Sequence, residues 1–171
     1  MRPCGGDEGG EQSPPLRFRP WLAIALRLGI LDRARRNTVK LDTGLMAARL
    51  EDVGKAARDA EEFGFAGLWT AEAAHDPFLP LALAAEHTQR IELGTAIAVA
   101  FPRSPLVFAY TAWDLQAMSK GRFILGLGTQ VKAHNEKRFG VKWEHPGPKL
   151  REMIQVIHAA WDCWQNGTRP N

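Results

Sequence analysis

The chain has 171 residues, with 22 Lys and Arg against 19 Asp and Glu and an apolar fraction of 45%. With 24% charged and 9% aromatic residues it is too apolar for a disordered chain and too interrupted by charge for a membrane-embedded one; no run approaches the roughly 18 to 20 apolar residues of a spanning helix. A net charge of +3 is carried largely by the N-terminal stretch and does not imply nucleic-acid binding.

Cys4 and Cys163 are the only cysteines, far apart and without a C-x-x-C motif, which fits a reducing compartment. The stretch Trp21 to Leu31 has the length of a secretory h-region, but Arg27 sits inside it and no A-x-A cleavage pattern follows. The protein is therefore expected to be cytoplasmic.

Residues 1–20 hold many Gly and Pro among few apolar groups and are expected to be disordered. Residues 21–36 read as a marginal helix with Arg27, Arg33, Arg35 and Arg36 available for one face and no membrane role. From Val39 the pattern becomes regular, so the chain divides into an extension, 1–38, and a domain, 39–171. VKLDTGL reads as a strand. Arg49 to Phe63 reads as a helix whose apolar face is Leu50, Val53, Ala57, Ala60 and Phe63, stopped by Gly64. AGLWT, residues 66–70, is a second strand. Asp76 and Pro77 are a cap-and-proline pair opening a second helix, and IELGTAIAV, 91–99, is a third strand. Ser104 and Pro105 repeat the cap signal for a helix ended by Gly121, followed by the strand RFILGLG at 122–128. Pro148 opens a last helix through Trp164, with Leu150, Ile154, Ile157 and Trp161 on one face and Asn166 and Gly167 at its end.

Four alternations of strand and helix, with strands apolar on both faces, specify an α/β fold with a parallel sheet. The endings Leu93-Gly94-Thr95-Ala96 and Leu127-Gly128-Thr129-Gln130 read as one unit repeated at the same structural position. An open doubly wound sheet and a closed (β/α)8 barrel both fit. Eight units need about 250 residues, so on the second reading the chain is half a barrel, and periodicity alone leaves the two open.

In either architecture reactive side chains belong at the carboxyl ends of the strands. The segment Glu72 to Asp76 is the most suggestive. An imidazole, His75, shuttles protons near neutral pH, and the carboxylates of Glu72 and Asp76 can tune it; alternatively Asp76 only caps the helix and His75 is a solvated loop residue. The loop 129–147 is long enough to be functional. The five His show no H-x-x-x-H or H-E-x-x-H spacing, so no metal site is expected. Gly126-Leu127-Gly128 is not a dinucleotide fingerprint, since Val131 stands at the third glycine position. Gly94 and Gly128 either let a flat ligand approach the sheet or serve tight packing.

The runs GFAGLWTAE, HDPFLPLALAAEHT and RIELGTAIAVAFPRSPLVFAYTAWDLQAMSKGRFILGLGTQ resemble the luciferase-like monooxygenase superfamily. They are more similar to its deazaflavin (coenzyme F420) dependent oxidoreductases than to its FMN-dependent luciferases. The resemblance spans residues 39–165. It implies a TIM barrel of which about the first four βα units are present, a bulge with a non-prolyl cis peptide at Ala96-Ile97 behind an isoalloxazine-type ring, and contacts to the ring and its side chain from Gly128, Thr129 and Gln130. Several relatives keep an acid followed directly by His after the second strand; here Glu72-Ala73 stands instead, with His75-Asp76 following, which leaves the catalytic role of Glu72, His75 and Asp76 open.

The resemblance implies hydride transfer between reduced coenzyme F420 and a small organic substrate. FMN is the alternative coenzyme, and a non-catalytic fragment or assembly partner the alternative role. The phosphate grip of the family lies in later loops, so this chain is expected to bind coenzyme poorly by itself, to expose two sheet edges, and to meet a second copy or a missing C-terminal half. Because the family commonly begins at the first strand, and a valine codon can initiate, residues 1–38 are expected to be an upstream over-reading.

Overall fold

The structure is a computed structural model that describes residues 39–45 and 49–167. The expectations of disorder, a marginal helix and an over-read start fall on residues 1–38, outside the described residues.

The first strand, β1 (Asp42–Gly44), leads to α1 (Leu50–Glu62). The buried face of α1 is Val53, Gly54, Ala57 and Ala60, a three-to-four-residue spacing of small side chains that lets the helix lie close to its neighbours. Leu50 and Phe63, assigned to this face from the sequence, are instead exposed, Phe63 at 82%. Both lie at the ends of the helix, where the stripe has turned off the core. Gly64, at φ +86°, takes the left-handed turn that ends it.

Strand β2 (Gly67–Thr70) is followed by α2 (Leu79–His87). Asp76 Oδ1 accepts the amides of Phe78 at 2.8 Å and Leu79 at 3.2 Å, but the helix begins only at Leu79, with Phe78 as its N-cap and no side-chain cap bond; Asp76, expected as the cap, instead braces the turn that leads into the helix. Glu61, in the last turn of α1, accepts the amides of Gln89, Arg90 and Ile91 and fixes the chain as it enters β3 (Glu92–Thr95).

The expected third strand is broken. After β3 the chain passes through a cis Ala96-Ile97 peptide and resumes as β4 (Ala98–Val99). Helix α3 (Pro105–Met118) starts where the Ser104 hydroxyl accepts Val107 N–H at 3.3 Å, with Pro105 in its first turn. The expected fourth strand is broken as well, into β5 (Phe123–Ile124) and β6 (Leu127–Gly128). Within the segment expected to be a loop lies a helix, α4 (Lys132–Phe139). It buries only Asn135 and therefore carries no apolar periodicity to announce it. Helix α5 (Pro146–Asn166) begins two residues before the expected Pro148 and ends at Gly167, φ +67°.

The sheet runs β1-β2-β3-β5, parallel throughout, and β4 pairs with β6, also parallel. A doubly wound sheet reverses its strand order at a switch point; here spatial order is chain order, as in a barrel wall. This resolves the alternative left open by periodicity, and the α/β fold is a partial (β/α)8 barrel. Among the described residues β1 and β5 each have a single neighbour. One hydrophobic core, including Val53, Leu68, Leu81, Leu93, Phe108 and Ile157, joins the sheet to α1, α2, α3 and α5. Among the described residues no helix is long and apolar enough to cross a membrane.

The register corrects one sequence reading. Leu93 and Gly94 pair with Phe123 and Ile124, while Leu127 and Gly128 pair with Ala98 and Val99. The two similar endings are thus not equivalent: one lies before the break in its strand, the other after it.

The corner between α3 and β5 is made by Ser119, Gly121 and Arg122. Arg122 donates from Nε to Ser119 O, from Nη1 to Thr88 Oγ1 and Ile91 O, and from Nη2 to Ala85 O and Thr88 O. A cation is thereby set on the carbonyls that end α2. The S-x-G-R-F motif, part of the family resemblance, is a structural joint.

Candidate functional site

The carboxyl ends of the strands gather the loop after β2 (residues 71–78), the break between β3 and β4, the turn before α3 and the segment 129–131. Three glycines determine how closely they meet. A Cβ on Gly94 would collide with the Trp69 ring, one on Gly126 with Thr95 O, and one on Gly128 with Ile97 Cγ1 at 2.8 Å. Gly94 and Gly128 thus serve packing of the protein upon itself, and no flat ligand has room against Gly94.

The two strand breaks interlock. The Thr95 hydroxyl donates to Gly126 O at 2.8 Å and accepts Gly126 N–H at 2.9 Å. Beyond the break, Ala98 and Ala100 donate to Gly126 O and Gly128 O, both at 2.9 Å. On the opposite side Ala96 N–H reaches Thr70 O at 2.6 Å and Glu72 N–H reaches Ile97 O at 3.1 Å. Ala96 is left exposed and Ile97 half-buried, a small apolar surface with Ile97 seated on Gly128. Thr129 and Gln130 continue its margin, Gln130 at φ +58°. Among the described residues the amides of Ile97, Thr129 and Gln130 have no acceptor.

Asn135 holds this margin in place. Fully buried, it donates from Nδ2 to Thr129 O at 2.8 Å and Val131 O at 3.1 Å. Two carbonyl acceptors orient the amide, so Oδ1 is the acceptor left without a partner among the described residues.

Glu72 is buried and committed. Its Oε2 accepts Val99 N–H at 2.7 Å and Arg103 Nη1 at 2.7 Å, and its Oε1 accepts Arg103 Nη2 at 2.9 Å. Arg103 also donates to Asp76 Oδ2 at 3.1 Å and to Val99 O at 3.3 Å, and it lies 5.6 and 5.7 Å from the Phe78 and Phe108 ring centres. Burial pulls the Arg103 guanidinium down, but the hydrogen bonds and charges of Glu72 and then Asp76 outweigh it and hold it above its ordinary value. His75 is exposed and has no side-chain partner among the described residues.

Of the sequence-assigned residues, the structure thus brings Ala96, Ile97, Gly128, Thr129 and Gln130 to one surface. It joins Glu72 and Asp76 through Arg103 and leaves His75 apart in the same loop. Arg103 and Asn135 lie in the strand-end loops to which the sequence points, but the sequence assigned neither of them a role. The partners of Arg103 lie 31 and 27 positions away, and only Arg103's place just before the Ser104 cap marks it locally. Among the described residues no group of three or more His, Cys, Asp or Glu is placed to hold a metal ion.

A family model described as luciferase-like monooxygenase matches residues 27–170. An uncharacterized protein of Mycobacterium tuberculosis is 56% identical over 136 residues, covering 80% of this chain and 39% of that protein. A second protein of that organism, bearing the name "Putative coenzyme F420-dependent oxidoreductase", is 37% identical over 103 residues, 60% of this chain and 30% of its own length. The chain therefore spans well under half of the relatives it matches. Among solved structures, the coenzyme F420 dependent tetrahydromethanopterin reductase of Methanopyrus kandleri is similar with a TM-score of 0.57 at 25% identity, over 71% of this chain and 39% of that one. The oxygenating constituent of 3,6-diketocamphane monooxygenase from Pseudomonas putida, in complex with FMN, has a TM-score of 0.64 at 19% identity, over 73% and 41%.

Proposed function

This chain belongs to the luciferase-like monooxygenase family, whose members are flavin- or F420-dependent oxidoreductases and monooxygenases, and from that premise we propose that it serves coenzyme F420-dependent hydride transfer to or from a small organic substrate. The observation that carries this reading is the surface at the break between β3 and β4. Exposed Ala96 and half-buried Ile97 offer an aliphatic floor, and the amides of Ile97, Thr129 and Gln130, without an acceptor among the described residues, lie along its margin. A tricyclic ring with carbonyl oxygens on one edge fits such a floor, the ring on the aliphatic groups and the oxygens toward the amides. Asn135 Oδ1, the orphaned acceptor of the same segment, matches a hydroxyl or ring N–H donor.

When bound, the coenzyme supplies the hydride chemistry. The chain's own residues provide orientation and a proton. Ala96 and Ile97 support one ring face, and Gly128 allows that support by admitting Ile97. His75, the one titratable side chain of the Glu72–Asp76 segment outside the Arg103 network, is exposed in the same loop and is the group there that can hand a proton to or from substrate at its imidazole nitrogen. Glu72 and Asp76 keep their carboxylates on Arg103 and position the loop. The preference for F420 over FMN is supported by the relative and the reductase named for that coenzyme; the likeness to the FMN-bound monooxygenase makes FMN the second reading. The remaining length of the relatives corresponds to a C-terminal half or a partner that completes the site, in a cytoplasmic setting.

Thermal unfolding of the purified chain, alone and with saturating F420 or FMN, tests the reading, since a ligand that binds the native state raises the midpoint by mass action. Because the chain alone is expected to bind coenzyme weakly, a small rise with F420 is expected, and only at coenzyme concentrations that fill a weak site. A rise with FMN alone transfers the proposal to a flavin monooxygenase, and a cooperative transition that neither coenzyme moves refutes coenzyme binding by this chain.

A further inference from the structure

Strand β2 ends at Thr70, whereas the neighbouring chain continues through β4. On the side facing β6 the backbone of this continuation is paired strand to strand, through Ala98 and Ala100. On the side facing β2 no strand remains, and the polar groups of Ile97 and Val99 need other partners. They find them in one residue pair. Ile97 O accepts Glu72 N–H, Val99 N–H goes to Glu72 Oε2 at 2.7 Å, and Val99 O accepts Arg103 Nη1 at 3.3 Å. Glu72 and Arg103 thus stand in for the missing length of β2.

We propose that Arg103 is a positioning residue for the coenzyme floor, acting through Glu72 to fix the backbone of Ile97 to Val99. The proposal rests on the coenzyme reading above. Side-chain exposures of 4% for Glu72 and 20% for Arg103 mean that both charges are largely withdrawn from water, which is costly unless geometry and further hydrogen bonds compensate. The compensation is specific. The guanidinium meets Glu72 with two parallel bonds, reaches Asp76 and Val99 O with the donors that remain, and is flanked by the rings of Phe78 and Phe108. A single ammonium cannot reproduce this fork. Without the guanidinium, the Glu72 carboxylate has no fixed direction and Val99 N–H no fixed acceptor, so the floor loosens on the side that carries Ile97.

The test uses the whole 171-residue chain and compares Arg103→Met, Arg103→Lys and Glu72→Gln with the wild type by residue-resolved amide hydrogen exchange and by F420 titration. In Arg103→Met the exchange of Val99 should rise at least about tenfold, while Leu93, whose amide bonds Arg122 O before the break, stays protected. F420 should bind about tenfold or more weakly. Glu72→Gln should reproduce the loosening at Val99, and Arg103→Lys should restore only part of the affinity. Unchanged exchange at Val99 in folded Arg103→Met overturns the proposal, as does unchanged coenzyme affinity or full recovery by lysine. A global loss of protection in Arg103→Met together with wild-type behaviour of Glu72→Gln overturns it too, since the role is then general stability. If the wild type binds no coenzyme, the function reading falls, and exchange at Val99 alone decides for or against the positioning role.

Discussion

Replacing Gly126 by Ala places a methyl group against Thr95 O, a backbone atom that cannot swing aside. To relieve the contact, the break between β5 and β6 must move away from the break between β3 and β4. Overpacking of this kind costs about 1–3 kcal/mol. The displacement also loosens the reciprocal Thr95–Gly126 bonds and Ala98 N–H to Gly126 O, and weakening them to the equivalent of one or two lost bonds costs about 1–2 kcal/mol. Against this, Ala restricts the unfolded chain more than Gly does, which stabilises by about 0.4–1 kcal/mol. The net expectation is a destabilisation of about 2–4 kcal/mol, or a fall in midpoint of about 5–15 °C for a domain of this size. Urea and thermal unfolding followed by circular dichroism measure it, with an unchanged denaturant slope showing that stability alone has altered. A Gly126→Ala chain as stable as the wild type would refute the interlocking of the two breaks. F420 affinity should fall in the same variant, because Ile97 and Gly128 lie on the two segments forced apart.

Two further expectations concern the scaffold. Burial works to raise the Glu61 carboxyl, but the amides of Ile91, Arg90 and Gln89 and then the charge of Arg90 outweigh it and hold it below its ordinary value of 4.5. A carboxyl lowered in the native state contributes stability above its unfolded value and loses it as the pH falls through the native one. Glu61→Gln should therefore be less stable by about 1 kcal/mol at neutral pH, with the difference shrinking to nothing in strong acid; paired urea titrations across that range check it, and a constant difference would contradict it. Arg122 is pulled below its ordinary value chiefly by burial, partly offset by the Glu61 charge. Its bonds run to Ser119, Thr88, Ile91 and Ala85, so Arg122→Met should cost about 2–4 kcal/mol and Arg122→Lys should recover little, as thermal midpoints will show.

What was legible in the sequence is what local chemistry determines. Ser104 with Pro105, and the glycines at 64, 121 and 167, each mark an element end without reference to the rest of the chain, and each stands where those signals place it, whereas the helix expected from Asp76 and Pro77 starts only at Leu79. Apolar periodicity identified α1 and α5 but not α4, because a helix that buries a single asparagine leaves no stripe. The family resemblance implied the bulge with a cis peptide at Ala96-Ile97, and it is present; periodicity alone hid both strand breaks, for a different reason. Apart from Glu92 and Arg122 near their starts, residues 91–99 and 122–128 are runs of apolar residues with Gly and Thr and read as single strands; their division arises from contacts between Thr95 and Gly126, 31 positions apart. The likeness of Leu93-Gly94-Thr95 to Leu127-Gly128-Thr129 was misleading for the same cause, since register is set across strands and not along them.

The site divides along the same line, and the division bears on coenzyme choice. The floor is aliphatic and backbone-built, and Trp69, Thr95 O and Ile97 already occupy the room that Gly94, Gly126 and Gly128 leave. Such a surface is shaped before any ligand arrives, which favours binding of a flat ring by lowering the ordering cost. It offers nothing, however, that distinguishes one tricyclic ring from another, because dispersion and backbone amides act alike on a deazaflavin and a flavin. Discrimination must come from polar groups at the margin, where Asn135 holds Thr129 O and Val131 O on either side of Gln130, and from groups that grip the rest of the coenzyme. An F420 preference carried by the margin would weaken when Asn135 is replaced, even with the floor intact; a preference that survives such replacement would place the selecting groups beyond these residues.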